Sequence, residues 1–175
     1  IDFAIILEPT DNEIQLGCLG ALNATLTISG KAAHSARPWV GDNPIYKVKD
    51  VIKLVEENEI NELEIGGLNF KQVMSITKIS SGIANNVIPE TLELNLNFRY
   101  SPELNGPEAG SYINDLFSDY VEVEILNTSD GAMPNKSEEK ISEFIKKTGA
   151  VVQPKQAWTD IARFFEHKIP CVNFG

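Results

Sequence analysis

Cysteine and histidine are both scarce, with two of each in 175 residues: Cys18, Cys171, His34 and His167. Two cysteines so far apart make neither a disulfide framework nor a Cys-pair metal site, and they read as small buried thiols in a reducing cytoplasm. Positive charge is also short. Lys and Arg total 15 against 25 Asp and Glu, a formal net charge of -10. A nucleic-acid binder needs a cationic surface to neutralise phosphates, so no nucleic-acid partner is expected, and no anionic membrane surface either. Long apolar runs are missing, which leaves no candidate signal peptide or membrane span. No internal repeat or low-complexity segment stands out. What remains is ordinary globular material, 42% hydrophobic and 23% charged, enough to bury a core.

The hydrophobic patterning changes style twice. Residues 3–7 (Phe-Ala-Ile-Ile-Leu) form a continuous apolar run, as in a strand buried on both faces, and Glu8-Pro9 ends it. Glu8 thereby sits at a strand's carboxyl end, where open α/β sheets place their ligand crevice. From Ala21 the pattern becomes period-2, with Leu22, Ala24, Leu26 and Ile28 alternating with polar residues up to Gly30. A polar loop runs to Asp42. Asn43-Pro44 then opens a helix carrying Ile45, Val48, Ile52 and Val55. Residues 61–67 read as a turn, and residues 69–79 and 92–98 as strands. A helix opens at Asn105-Gly106-Pro107, and a strand follows at Val121, Val123 and Ile125. The order is βαββαβ, a ferredoxin-like plan with both helices on one sheet face and a polar open face opposite. Residues 127–135 read as a return linker. Helices over 137–147 and from Thr159, a short strand near 151–152 and a last strand at 171–174 resume the first style.

The expected fold class is therefore α/β: residues 1–16 and 128–175 as parts of one host domain, with residues 17–127 as a complete inserted domain. The chain begins without methionine, inside a strand, and ends inside another, which suggests an internal fragment.

Several polar residues sit where chemistry is done, and each also has a structural explanation. Glu8 can ligate a metal, act as a base or simply end a strand. His34 lies outside any apolar period, on a loop stiffened by Pro38, where an imidazole can donate to a developing oxyanion or stay idle in solvent. Asn85 and Asn86 suit a turn or a polar substrate. Arg99 ends a strand on its polar face, able to pair with Glu93 or Glu122 or to clamp a carboxylate. Thr159 is a plausible helix cap at an N-terminus that also suits anions. His167 is explained by the helix C-terminus it occupies.

Taken together, Glu8-Pro9-Thr10, Gly30-x-x-x-His34-Ser35-x-x-Pro38, Asn85-Asn86-Val87-Ile88-Pro89, Phe98-Arg99-Tyr100, residues 159–164 and Ile169-Pro170-Cys171-Val172-Asn173-Phe174-Gly175 resemble the two-zinc aminoacylase and carboxypeptidase superfamily in order and spacing. Gly17-Cys18-Leu19-Gly20, residues 32–39 and Trp158-Thr159-Asp160 are most similar to its actinobacterial-type succinyl-diaminopimelate desuccinylases. The resemblance covers nearly the whole chain. It implies a partial zinc-peptidase-like catalytic domain carrying a βαββαβ lid that also pairs two subunits. It implies Glu8 as a zinc ligand and His34 as the lid histidine that polarises the scissile carbonyl. It implies Asn85, Asn86, Arg99, Thr159 and Arg163 as substrate-binding residues. The implied cofactor is a pair of zinc ions, with cobalt as an alternative. The implied reaction is hydrolysis of an N-acyl amide in the cytoplasm, here N-succinyl-diaminopimelate on the way to lysine and cell-wall precursors. Two departures stand out. Asp160 and Ile161 fall where the family usually has Ser and Asp, which leaves the role of Asp160 open. The family's His-x-Asp, Glu-Glu and final histidine are absent. The alternatives are another member, such as an acetylornithine deacetylase, an N-acyl-amino-acid hydrolase or a tripeptidase, and a non-catalytic dimerisation module.

Overall fold

The structure, a computed structural model, describes all 175 residues. In chain order the elements are β1 (Ala4–Ile6), β2 (Ile14–Leu16), β3 (Ala21–Ser29), β4 (Ala33–His34), α1 (Pro44–Glu57), β5 (Ile60–Ile65), β6 (Leu68–Ser81), β7 (Val87–Ile88), β8 (Thr91–Arg99), α2 (Gly106–Phe117), β9 (Glu122–Ser129), α3 (Glu139–Thr148), β10 (Val152–Pro154), α4 (Ile161–Glu166) and β11 (Cys171–Asn173). A turn of 3-10 helix covers Pro38–Val40.

The inserted unit is a five-stranded antiparallel sheet in the order β5-β6-β8-β3-β9. Its alternation is plain in β3 and β8. Leu22, Ala24, Leu26 and Ile28 pair across with Leu92, Leu94, Leu96 and Phe98, and all eight are buried. Both helices cover this apolar face. Asn43 caps α1 by accepting the Ile45 N–H, with Pro44 in the first turn. In α2 Asn105 and Glu108 close a capping box, so two of the N–H groups left over at the helix start are satisfied. The resulting core holds Val51 and Val55 from α1 and Ala109, Ile113 and Phe117 from α2. The opposite face is polar and carries a cross-strand amide ladder. The Asn97 side-chain N–H donates to the Asn23 oxygen at 3.0 Å, and Asn23 donates to Asn127 at 3.0 Å.

The remaining strands form a second sheet in the order β1-β11-β2-β10, with β1 and β11 parallel, and β2 and β10 parallel. The two sheets share a core. Ile14, Leu16 and Val172 of the second sheet and Ile141 of α3 pack with Ile65, Leu68 and Phe70 from the β5–β6 hairpin. The Gln156 side chain adds bonds to the β6 backbone, accepting the Lys71 N–H and donating to the Asn69 oxygen. The chain passes between the sheets twice, and the two crossings lie side by side with Cys18 and Ala132 exchanging backbone hydrogen bonds. Glycine is needed there, because a Cβ on Gly131 would meet the Cys18 oxygen at 2.4 Å and one on Gly20 the Tyr100 ring at 2.2 Å. Asp130 ties the crossing together: it accepts from the Gly106 N–H and the Tyr100 hydroxyl through its side chain, and from the Trp158 indole through its backbone.

Three local expectations are corrected. Residues 61–67 are not a turn: β5 runs through Ile65, and only Gly66 and Gly67, both at positive φ, make the reversal. The alternation was masked because β5 is a sheet edge, where Asn61, Glu62 and Glu64 face water. Thr159 does not cap α4. Asp160 occupies the cap position without a side-chain cap bond. Finally, β2, the 3-10 turn and the small β4–β7 pair were not anticipated, being too short for periodicity to register.

Candidate functional site

Glu8 and Thr159 are each tied to the second sheet, Glu8 just after β1 and Thr159 through β11. Strands β1 and β11 are parallel with Ile6 opposite Asn173, so the residues following both strands emerge on the same side. Glu8-Pro9-Thr10 is locked to the segment after β11. The Thr10 N–H donates to the Gly175 oxygen at 2.9 Å, and the Gly175 N–H donates back to the Thr10 hydroxyl at 3.0 Å. Gly175 lies so close that a Cβ would meet the Glu8 carbonyl at 2.7 Å. The Glu8 carboxylate is ion-paired with Lys155, Nζ to Oε2 3.4 Å; the lysine side chain is 11% exposed and the glutamate 37%. A lysine is rarely this buried unless paired, so the pair orients the carboxylate. The buried Thr159 hydroxyl donates to the Asn173 side-chain oxygen at 3.1 Å, and the Asn173 amide donates to the Gln15 backbone. Thr159 is thus bonded to the last residue of β11. The side-chain oxygen of Gln15 is buried and has no hydrogen-bond partner within the chain.

Two short loops bring His34 together with Asn85 and Asn86 at the far tip of the inserted domain. Strand β4 pairs with β7, placing His34 opposite Val87, and the Ser35 N–H donates to the Asn86 oxygen at 2.9 Å. His34, Asn85 and Asn86 are all exposed. The His34 Nδ1 accepts the Ala36 N–H at 3.1 Å. With Nδ1 occupied as an acceptor, Nε2 is the ring nitrogen left to face a ligand, and it makes no bond within the chain.

Arg99 and Arg163 occupy two further positions. Arg99 is half-buried at the end of β8 on the polar face, opposite Val73, and pairs with neither Glu93 nor Glu122. Arg163 lies over the Trp158 ring at 5.5 Å and pairs with Glu166 at 3.6 Å. Asp160 is exposed. His167 is the cap residue at the end of α4, as its helix-terminal position implied. A cavity of about 750 Å³ contains none of these residues: it lies beside α2 and α4 and is lined by Leu16, Glu103, Leu104, Met133, Glu138 and Phe165 among others. The sequence did not reveal Lys155, Asn173 or Asp130. Only tertiary pairing makes a lysine in a short strand end a buried partner of Glu8.

No group of three or more His, Cys, Asp or Glu side chains converges anywhere in the chain. Glu8 is one carboxylate next to an ammonium, so the residues present do not hold a metal ion by themselves. The two thiols are inert for this purpose. Both are buried, and burial pushes Cys18 up and Cys171 up to about 12, with the Cys18 sulfur adding to the latter.

A family model described as a peptidase dimerisation domain matches residues 16–123. A putative succinyl-diaminopimelate desuccinylase of Mycobacterium tuberculosis is 34% identical over 175 residues, covering 99% of this chain and 49% of the relative. A succinyl-diaminopimelate desuccinylase of Corynebacterium glutamicum is 36% identical over 179 residues, covering 99% and 48%. The chain thus spans about half the length of the curated relatives it matches. Among solved structures, a tripeptidase of Staphylococcus aureus superposes with a TM-score of 0.71 at 18% identity, over 99% of this chain and 48% of that one. An M20 family metallo-carboxypeptidase of Sulfolobus solfataricus gives 0.70 at 15%, over 99% and 55%. With the ferredoxin-like unit inserted into a mixed sheet, and the dimerisation-domain match over most of that unit, the chain belongs to the M20 metallopeptidase family.

Proposed function

We propose that the chain supplies the lid and one wall of the active site of a metal-dependent N-acyl amide hydrolase of the succinyl-diaminopimelate desuccinylase type. The observation that carries this is the setting of His34: an exposed imidazole whose Nδ1 accepts a backbone N–H, which leaves Nε2 as the nitrogen turned to a ligand. A donor in that position, fixed before substrate arrives, stabilises charge that develops on a scissile carbonyl oxygen. Glu8 is the single metal ligand the chain contributes, and the remaining ligands and the general base belong to sequence outside it. When bound, the family's metal pair, zinc with cobalt as an alternative, supplies Lewis-acid polarisation and an activated water. This chain's own side chains bind and orient. Arg99, Asn85 and Asn86 hold substrate carboxylates; Arg163, steadied on Trp158, lines the pocket from the host side; and Thr159 sets its floor through Asn173.

The site is completed by pairing of two subunits in the cytoplasm. Strand β5 covers β6 only along Leu68–Val73, so the outer edge of β6 beyond Met74 is unpaired. Ile45, Tyr46 and Ile52 of α1 and Ile79 of β6 are exposed apolar residues. A free edge beside apolar surface is what a second copy covers. No helix is long and apolar enough to cross a membrane.

The test uses the full-length polypeptide. N-succinyl-LL-diaminopimelate is expected to be hydrolysed in preference to N-acetylornithine and to tripeptides. Elemental analysis is expected to show metal lost on Glu8→Ala. Hydrolysis of none of these substrates, or unchanged metal content in the variant, refutes the proposal.

A further inference from the structure

The His34 tip has a charge character unlike the rest of the chain. Although the chain carries 25 acidic residues, none lies between Gly30 and Gly41 or between Ser80 and Pro89, the two segments that meet at the tip. Just outside, Asp42 is ion-paired with Lys47, and Glu90, whose carbonyl accepts the Gly30 N–H at the base of the loop, is exposed to solvent. What the tip does carry is Lys31, His34 and Arg37. Of the three arginines, Arg163 pairs with Glu166; Arg99 and Arg37 have no acidic partner, and of these two Arg37 is the exposed one.

Arg37 is held beside His34 by backbone bonds. The Arg37 N–H donates to the His34 oxygen at 2.8 Å, closing a β-turn that brings the two Cα atoms within about 7 Å. The loop is braced on every side. Lys31 and Asp42 exchange backbone bonds at its base, the Val40 N–H bonds the Arg37 oxygen, the Ser35 N–H bonds Asn86, and Gly41 packs under Ala33. A loop this well bonded still displays Trp39 at 77% exposure, with Ile83 at 93% on the facing turn. Exposed apolar groups on an ordered tip are surface meant to be covered when the tip enters a cleft. Covering them excludes water around Arg37 and strengthens any ion pair it makes.

We propose that Arg37 is a specificity residue of the same site: it takes, in a bidentate fork, a carboxylate on the acyl side of the substrate. This rests on the hydrolase proposal above. If His34 donates to the scissile carbonyl, the group one β-turn away reaches what lies a few bonds beyond that carbonyl. On a succinyl chain that is a carboxylate two methylenes away; on an acetyl chain nothing is there. A planar guanidinium matches a carboxylate with two parallel N–H donors, which a lysine cannot reproduce. The acid-free tip around it draws anionic substrates in, where the rest of this strongly acidic chain repels them.

The experiment compares N-succinyl and N-acetyl forms of one amino acid with the full-length enzyme and its Arg37→Ala and Arg37→Lys variants. Each is assayed for KM and kcat, with sedimentation to read oligomeric state. Arg37→Ala is expected to raise KM for the succinyl substrate roughly 10- to 150-fold, the range for one hydrogen-bonded charge, with the acetyl substrate unaffected. Arg37→Lys is expected to recover part of the loss. Equal effects on both substrates, no effect on either, or dissociation of the subunits in Arg37→Ala would overturn the assignment and leave the hydrolase proposal standing. A wild-type enzyme inert toward both substrates would remove the hydrolase proposal and this one with it.

Discussion

Phe70 tests whether the inserted domain and the second sheet fold as one unit. Its ring is fully buried and belongs to the core that the β5–β6 hairpin shares with Ile14, Leu16, Ile141 and Val172. Phe70→Ala removes the ring from both bodies at once, at a cost of about 3–5 kcal/mol in lost burial and residual cavity. With a urea slope of about 2 kcal/mol/M for a domain of this size, the midpoint should fall by roughly 1.5–2.5 M. The assay follows the same melt by two signals. Trp158, whose indole bonds the Asp130 backbone, reports on the crossing between the sheets by fluorescence. Far-UV circular dichroism is weighted towards the larger, five-stranded sheet. Coincident transitions that shift together show one cooperative unit. Two separated transitions, with only one displaced, or a midpoint shift below about 0.5 M, would refute the shared core as a source of stability. The result bears on mechanism, because a lid docked through a common core can close only by bending that spares Phe70 or by breaking its contacts.

His34→Ala in the full-length enzyme should lower kcat by about 100- to 1000-fold with KM nearly unchanged, the signature of a donor used in the transition state; equal effects on both would make His34 a binding residue. The raised thiol of Cys171 gives a pH dependence. The folded state keeps the proton up to about pH 12, while the unfolded thiol releases it near its ordinary 9. The stability this contributes is therefore complete below about pH 9 and is lost as pH rises from there. Each raised thiol adds a slope of at most about 1.4 kcal/mol per pH unit. The urea midpoint should decline between pH 9 and 11 in the wild type and less steeply in Cys171→Ala; parallel profiles for the two would dismiss the linkage.

How much of this was legible in the sequence depended on where the determining contact lies. The starts of α1 and α2 were readable because their signals are local: Asn43-Pro44 and Asn105-Gly106-Pro107 act within one turn, whereas the Glu108 half of the second cap was not read. Strands β3 and β8 were readable because each presents one face to the core over nine residues, long enough for a period of two to register. Strand β5 was misread because its polar residues face solvent at an edge, where turns and strands have similar composition. Strand β2, three residues long, carries too little pattern to separate from a loop. Glu8 was placed at a strand's end by Pro9 alone, while its buried counter-ion lies far along the chain.

The same division runs through the site. Residue types such as an out-of-period histidine are visible in sequence, but their chemical state is not. His34 reads as a candidate donor; the Ala36 N–H that occupies its Nδ1 follows from a turn no periodicity reports. Thr159 reads as a helix cap, yet its hydroxyl serves Asn173 because α4, which follows Thr159, packs against β11 and puts that amide within reach. A side chain's role is legible when its partner is one turn away, and must be read from the fold when the partner arrives from another strand. By that criterion the turn that sets Arg37 beside His34 is a local device. An acid placed there, such as Ala36→Asp in the full-length polypeptide, is expected to lower turnover of a succinyl substrate while leaving the urea midpoint within about 0.5 M of wild type; unchanged turnover would refute the role proposed for the tip.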